Sequence, residues 1–274
     1  MSGELTTTPT EQEAEAVLTR AADDYLAARG HLMISLEQAG RFVQMGLNRL
    51  PPEVQRVVAE RARDGLEVAF RTAILGLEPG TRPSRSGAYR LGGALSGAIG
   101  GLGGFATTLA ELPVTTGLIM RSVADIARAR GLDLTDPVVR AACVEVFAFG
   151  GPLDEDDDAD IAFWATRLAG QEMAQLIASV VVRYAPAMMT KLGAQAVPLV
   201  GAAVGAGLNL VYMDFYQRMA RVVFALQPLE QAEGRVEIRR RFAGIVDARR
   251  GASGQDVRFR SGGRGETLSA SPRR

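Results

Sequence analysis

This chain of 274 residues has one cysteine and one histidine, which narrows the catalysis open to it. Cys143 and His31 would make a nucleophile and its base only if the fold joined two distant positions. Cys143 lies in an apolar stretch and reads as a buried structural thiol. A lone cysteine excludes an intramolecular disulfide and any multi-cysteine zinc or iron–sulfur centre, and a lone histidine excludes multi-histidine metal sites. No Gly-x-Ser-x-Gly elbow is present, and no glycine run leads into the Lys-Ser/Thr of a phosphate loop. The densest carboxylate group is Asp154–Asp158 with Asp160. Hard cations favour such oxygens, but the mid-loop glycine and late glutamate of a calcium loop are missing. The run reads as a solvated acidic turn before a helix N-terminus. No catalytic residue, metal site or cofactor is assigned. The expectation is a protein that is not an enzyme, with an enzyme of unknown reaction as the third reading.

Other charged residues are placed for recognition. Glu111 ends an uncharged stretch and precedes Leu112-Pro113. Its carboxylate is expected to cap the following helix or to meet Arg121 or Lys191. Arg121 and Asp125 share one helical face and are expected to pair. Lys191 is the only lysine. Net charge is zero, yet residues 235–274 hold 11 Arg against 4 acids, leaving 20 cations and 27 anions elsewhere. Arg239, Arg240, Arg241, Arg249 and Arg250 are the expected contacts to an anionic surface, because guanidinium groups attract phosphates without sequence choice. Aromatic residues are too few for specific nucleic-acid reading, and none is expected.

Helices must position these groups, since no stretch alternates with period two and Val and Ile recur at helical spacing. A capping box from Thr8 to Glu11 is expected to open the first helix, with Ala14, Val17, Ala21, Tyr25 and Ala28 inward and Gly30 as its stop. A second helix carries Leu32, Leu36, Ala39, Val43, Leu47 and Leu50. After Pro51-Pro52 a third carries Val54, Val58, Ala62, Leu66, Ala69, Ala73 and Leu77. Residues 78–88 read as a linker. Further helices are expected over Val114–Arg130, stopped by Gly131, and over Pro137–Phe149, capped by Asp136 or Thr135. Two more are expected from about Asp160 to Tyr184 and over Asp214–Gln227. The fold class is all-α. The expected organisation is a disordered N-terminus over 1–9, a helical domain over 10–247 and a disordered Arg-rich tail over 248–274. The N-terminal residues lack the basic-then-apolar order of a cleaved signal, so a cytoplasmic location is expected.

Two uncharged runs, 91–110 and 192–213, are rich in glycine. A glycine inside a helix costs roughly 1 kcal/mol, so so many together imply a packing reason. Gly93, Gly97 and Gly101 recur every four residues, and Gly100 and Gly104 repeat the step. Leu91, Leu95, Ile99, Leu102, Phe105 and Leu109 fall on the other side. The second run holds Gly201-x-x-x-Gly205, with Asn209 nearby. A glycine zipper is expected, pairing the two runs as a central pair of helices in close backbone contact. Ser96 is expected to tolerate alanine. Twenty helical residues reach about 30 Å, enough to cross a bilayer. The six large apolar side chains of the first run return only about −2 to −4 kcal/mol, so membrane contact is favoured over a stable span.

The chain resembles the EcsC family. The residues that carry the resemblance run from Gly100-Gly-Leu-Gly-Gly-Phe through Glu111-Leu-Pro to Leu118-Ile-Met-Arg-Ser-Val-Ala-Asp-Ile-Ala. They continue with Gly131-Leu-Asp-Leu, Pro137, Arg140, Phe163-Trp-Ala-Thr-Arg and Val197-Pro-Leu-Val-Gly-Ala-Ala-Val-Gly-Ala-Gly-Leu-Asn. The similarity covers roughly residues 50–230 by its motifs. It implies a bacterial protein and fixes no reaction. The leading expectation is a non-enzymatic protein, peripheral to the inner membrane, whose partner is anionic lipid or a membrane protein complex. A soluble helical interaction module, including a homo-oligomer, is the alternative.

Overall fold

The computed structural model describes residues 10–47, 52–78, 80, 82–102, 104–152, 157–168, 170–195 and 201–262. Among them nine α-helices and no strand occur: α1 (Glu11–Leu47), α2 (Pro52–Thr72), α3 (Ser86–Leu102), α4 (Gly104–Ala129), α5 (Pro137–Glu145), α6 (Asp157–Arg167), α7 (Met173–Gln195), α8 (Gly201–Glu233) and α9 (Arg235–Gly262). A 3-10 turn, Val146–Phe149, extends α5.

Several boundaries differ from the sequence reading, each for a local reason. The first capping box is formed by Thr10 and Glu13. The Thr10 amide donates to Glu13 Oε2 at 2.8 Å and the Glu13 amide to Thr10 Oγ1 at 3.3 Å. The helix runs through Gly30 to Leu47, so the two helices expected over this stretch are one. A single glycine costs too little to end a helix that continues on both sides. The first glycine run is a hairpin of α3 and α4, not one helix, and α4 begins ten residues before Val114, with Pro113 inside it. Proline removes one helical amide, and α4 tolerates it where Gly65 of α2 gives room: a Cβ there would lie 3.3 Å from Pro113 Cα. The helix expected from Asp160 to Tyr184 is two helices, parted near Gly170, whose φ of 77° suits glycine alone. Gly131 at φ 79° stops α4, and Asp136 caps α5 by accepting from the Val138 amide at 2.8 Å. Helical backbone in α9 continues past residue 247 to Gly262, and residues 263–274 lie outside the described residues.

The core gathers most of the large aromatic residues around the 3-10 turn. Phe147 stacks on Tyr216 with ring centroids 5.0 Å apart, and Phe149 lies 5.2 Å from Trp164. Phe242 of α9 meets Trp164 edge-on at 6.0 Å, which fixes α9 against the body. The α2 stripe read from the sequence is buried at Val58, Ala62, Leu66, Ala69 and Ala73.

Cys143 faces this core, and burial pushes its thiol up to about 12. Thiolate is the reactive form, so the folded protein is expected to resist alkylation by iodoacetamide at neutral pH and to react fully once denatured. Mass-spectrometric labelling checks this; rapid modification of the folded chain would contradict the burial. The His31 side chain and those of the acidic run lie outside the described residues, so their expected roles have no structural account.

Candidate functional site

The glycine face of α3 packs against the first turns of α8. The two helices run antiparallel, with Gly93 beside Met213 and Asn209, and Gly97 beside Gly205 and Asn209. A Cβ on Gly97 would lie 2.1 Å from the Gly205 carbonyl oxygen, well inside the closest approach of a Cβ to a non-bonded heavy atom. Gly93, Gly97, Gly100 and Gly101 are all buried. Gly205 is buried opposite them. Gly104 and Gly201 open α4 and α8, and their surroundings lie outside the described residues. Gly100 turns its bare side to Glu111, whose Cγ would be 3.1 Å from an added Cβ.

A polar cluster lies beneath this crossing, assembled by α3, α4, α7 and α8. The Glu111 carboxylate accepts from Lys191 Nζ at 2.8 Å, Ser96 Oγ at 2.6 Å and Asn209 Nδ2 at 2.9 Å, and from Thr115 Oγ1. Asn209 Nδ2 also donates to the Gly93 carbonyl at 2.8 Å. One side chain thus ties the glycine backbone of α3 to the ion pair. Lys191 is fully buried. Burial raises the Glu111 carboxyl, but the Lys191 ammonium and the hydrogen bonds from Lys191, Ser96 and Thr115 outweigh it and hold the group below the usual carboxylate range. Burial draws Lys191 below its ordinary value, and the Glu111 carboxylate opposes that shift.

Three expectations for polar residues change here. Glu111 does not cap a helix, because α4 starts two turns earlier; of its two expected partners, Arg121 and Lys191, it meets Lys191. Arg121 does not pair with Asp125. Its Nη1 donates to the Ala73 and Leu75 carbonyls at 3.0 and 2.7 Å and closes the end of α2. Asp125 pairs with Arg128 at 2.8 Å and accepts from the Arg85 amide at 2.7 Å. Ser96 is no neutral position, since it donates to Glu111. Its place four residues before Gly100, facing α4, becomes visible only once the hairpin is known.

The arginines assigned to anion contact are mostly engaged within the chain. Arg239 is fully buried and bridges Glu145 at 2.5 Å and Glu230 at 2.7 Å, so it is not a surface group. Its guanidinium lies over Trp164, where a desolvated cation needs such partners. Arg241 bonds Glu11, Glu15 and Glu233; Arg249 bonds Asp23; Arg250 lies over the Tyr25 ring. Arg240 is exposed beside Glu237. These residues clasp α9 to α1 and to the end of α8, roughly 40 Å along α8 from its glycine end.

That glycine end carries little charge. Glu111 is the only ionisable acid or base of 91–120 apart from uncharged polar groups, and Lys191 is the only charged residue of 184–213. Those two charges neutralise one another inside. The bulky side of α3 faces outward, with Leu91, Leu95, Ile99 and Leu102 between 59% and 75% exposed, and Val114 and Leu210 are exposed as well. Arg90, Asp214 and Arg218 form a linked group at the base of this end. The clefts of about 460 and 390 Å³ open elsewhere. Among the described residues no group of three or more His, Cys, Asp or Glu is placed to hold a metal ion.

Fold and site together define an all-α protein in which glycine-mediated helix packing encloses a neutralised ion pair beneath an uncharged, apolar surface. The chain belongs to the EcsC protein family, whose defining pattern matches residues 25–227. The match spans the α3–α4 hairpin, the whole polar cluster and nearly all of α8, and leaves α9 outside. No curated protein and no solved structure matches the chain.

Proposed function

We propose that this is a non-enzymatic membrane-contacting protein that presses its uncharged end into one leaflet of a bilayer. The observation that carries the reading is the pairing of Glu111 with Lys191: it leaves 91–120 and 184–213 without a free charge, while Leu91, Leu95, Ile99 and Leu102 face outward. No described helix is long and apolar enough to cross a membrane. Leu91–Leu102 rises about 17 Å, close to half of a roughly 30 Å hydrocarbon core, so shallow insertion fits the geometry. Each exposed Leu or Ile contributes on the order of 1 kcal/mol when it leaves water. The glycines hold the helices together beneath this surface, and the bulky side chains supply the contact. Because Arg239, Arg241, Arg249 and Arg250 are engaged in internal contacts at the far end, binding depends more on apolar burial than on salt.

Co-flotation with vesicles of mixed zwitterionic and anionic lipid tests this. Binding is expected to survive high salt, and Leu95→Asp with Ile99→Asp is expected to weaken it by more than two orders of magnitude, since each charge at depth costs roughly 2.5–3.5 kcal/mol. Both positions are exposed, so the variant should fold as the wild type does, as circular dichroism will show. Failure of the wild type to float, or equal flotation of the variant, would remove the proposal.

A further inference from the structure

A cleft of about 390 Å³ lies between the α2–α3 connection and the last turns of α4, below the uncharged end. We infer that this cleft binds a phosphate monoester group, carried by a lipid headgroup or by a small soluble molecule, through Arg82, Arg85 and Arg121.

Four guanidinium groups line the cleft, those of Arg82, Arg85, Arg121 and Arg128, against the carboxylates of Glu78 and Asp125. Arg128 and Asp125 are buried and neutralise one another at 2.8 Å. Their other bonds hold the connection in place. Arg128 Nη1 and Nη2 donate to the Gly80 and Arg82 carbonyls at 2.8 and 3.0 Å, and Asp125 Oδ2 accepts from the Arg85 amide at 2.7 Å. The pair thus fixes the backbone from which Arg82 and Arg85 project, and both of those residues are exposed. Arg121 is half-buried in the wall, with the Tyr89 hydroxyl beside it. Its Nη1 is spent on the Ala73 and Leu75 carbonyls, so its charge meets backbone oxygen and no carboxylate among the described residues.

Three cations against Glu78 leave the cleft with an excess of two positive charges. A phosphate monoester carries about −1.5 to −2 at neutral pH, which matches that excess. Its three terminal oxygens accept from guanidinium groups on different sides, and such charge-assisted bonds are the strong ones. A carboxylate, with a single charge and two oxygens, would leave one cation uncompensated. Height along α3 connects the cleft to a membrane. Tyr89 and Arg85 lie about 3 and 9 Å from Leu91 along the helix axis, on the side away from Leu102. Headgroups extend roughly 5–8 Å beyond the hydrocarbon on each side, so with Leu91–Leu102 inserted the cleft is level with lipid phosphates. A lipid source of the phosphate rests on the membrane contact proposed above; a soluble source does not. The apolar end then supplies the salt-resistant part of binding, and the cleft adds a headgroup preference.

Two arms test this on the full-length protein. In the first, inorganic phosphate and glycerol 3-phosphate are titrated against sodium chloride of equal ionic strength, with melting midpoint and calorimetry as readouts. In the second, flotation is compared on phosphatidylcholine vesicles that hold phosphatidic acid, a monoester, or phosphatidylglycerol, a diester, at equal surface charge. The expected result is a higher midpoint in phosphate than in chloride, stronger flotation on phosphatidic acid than on phosphatidylglycerol, or both. A response in the first arm alone assigns a soluble phosphate, and one in the second alone a lipid headgroup. Arg82→Gln with Arg85→Gln is expected to weaken the response at least about tenfold, since a hydrogen bond to a charged group is worth that much or more. Both positions are exposed, so its circular dichroism should match that of the wild type. Arg56→Gln with Arg63→Gln removes the same charge from exposed positions of α2 and is expected to leave the response unchanged. The inference is overturned if neither arm responds or if the two double variants respond alike. A wild type that floats on every vesicle but responds in neither arm loses the cleft and keeps the membrane contact. One that floats on none but binds soluble phosphate keeps the cleft and loses the membrane contact.

Discussion

Alanine at Gly97 is expected to destabilise the protein by about 3 kcal/mol, at the upper end of the usual cost of overpacking. One methyl group suffices because the obstacle is backbone. The new Cβ would sit 2.1 Å from the Gly205 carbonyl oxygen and 2.7 Å from Cγ and Nδ2 of Asn209. Neither can yield cheaply: the carbonyl belongs to α8, and Asn209 is held by the Gly93 carbonyl and Glu111. Relief requires α3 and α8 to part, which also loosens the polar cluster. A chain of this size would melt roughly 6–12 °C lower. Gly207→Ala supplies the opposite sign. Nothing lies within 4 Å of a Cβ at Gly207, so alanine there gains helix propensity and should stabilise by somewhat under ~1 kcal/mol. Equal midpoints for Gly97→Ala and wild type would mean that α3 and α8 do not cross in this way.

The contrast between those two glycines marks what was legible in the sequence. Four-residue spacing of Gly93, Gly97 and Gly101 opposite Leu95 and Ile99 was enough to assign a bare and a bulky face, and Asn209 fell within the right partner run. Spacing alone did not say which face meets solvent. That depends on how many neighbours α3 has, and it packs on α4 and α8 while its Leu/Ile side is left open. The hairpin between α3 and α4 was hidden because Glu111-Leu112-Pro113 resembles a helix start, whereas α4 carries Pro113 in its interior. Arg239 shows the same limit. A cluster of arginines near an Arg-rich end looks like a surface patch, and only Glu145 and Glu230, distant in sequence, reveal that it is buried. Local pattern sets helix faces; pairing between elements decides which charges are spent inside.

Lys191→Met is expected to cost about 3–5 kcal/mol at neutral pH, the usual penalty for stranding one charge of a buried pair. Glu111 would keep its hydrogen bonds from Ser96, Thr115 and Asn209 but lose the cation that offsets its desolvation. Glu111→Gln strands the Lys191 ammonium and should cost a similar amount. The double variant should cost less than the sum of the singles by roughly 2 kcal/mol, because neither partner is then left alone. Acid adds a sharper distinction. In the wild type the Glu111 carboxyl lies below its unfolded value of 4.5, so its stabilisation is complete above that pH and is lost as pH falls through the folded value. In Lys191→Met only the hydrogen bonds from Ser96, Thr115 and Asn209 are left to oppose burial, the larger influence, so the same carboxyl is expected to rise above 4.5; the folded state then takes up the proton first and acid relieves the penalty. Urea unfolding from pH 7 downward should therefore show the gap between the two proteins closing as the pH nears that value. A gap that stays constant across the range would mean that Lys191 does not act on Glu111 as a charge, and the neutralised pair beneath the apolar end would have to be given up.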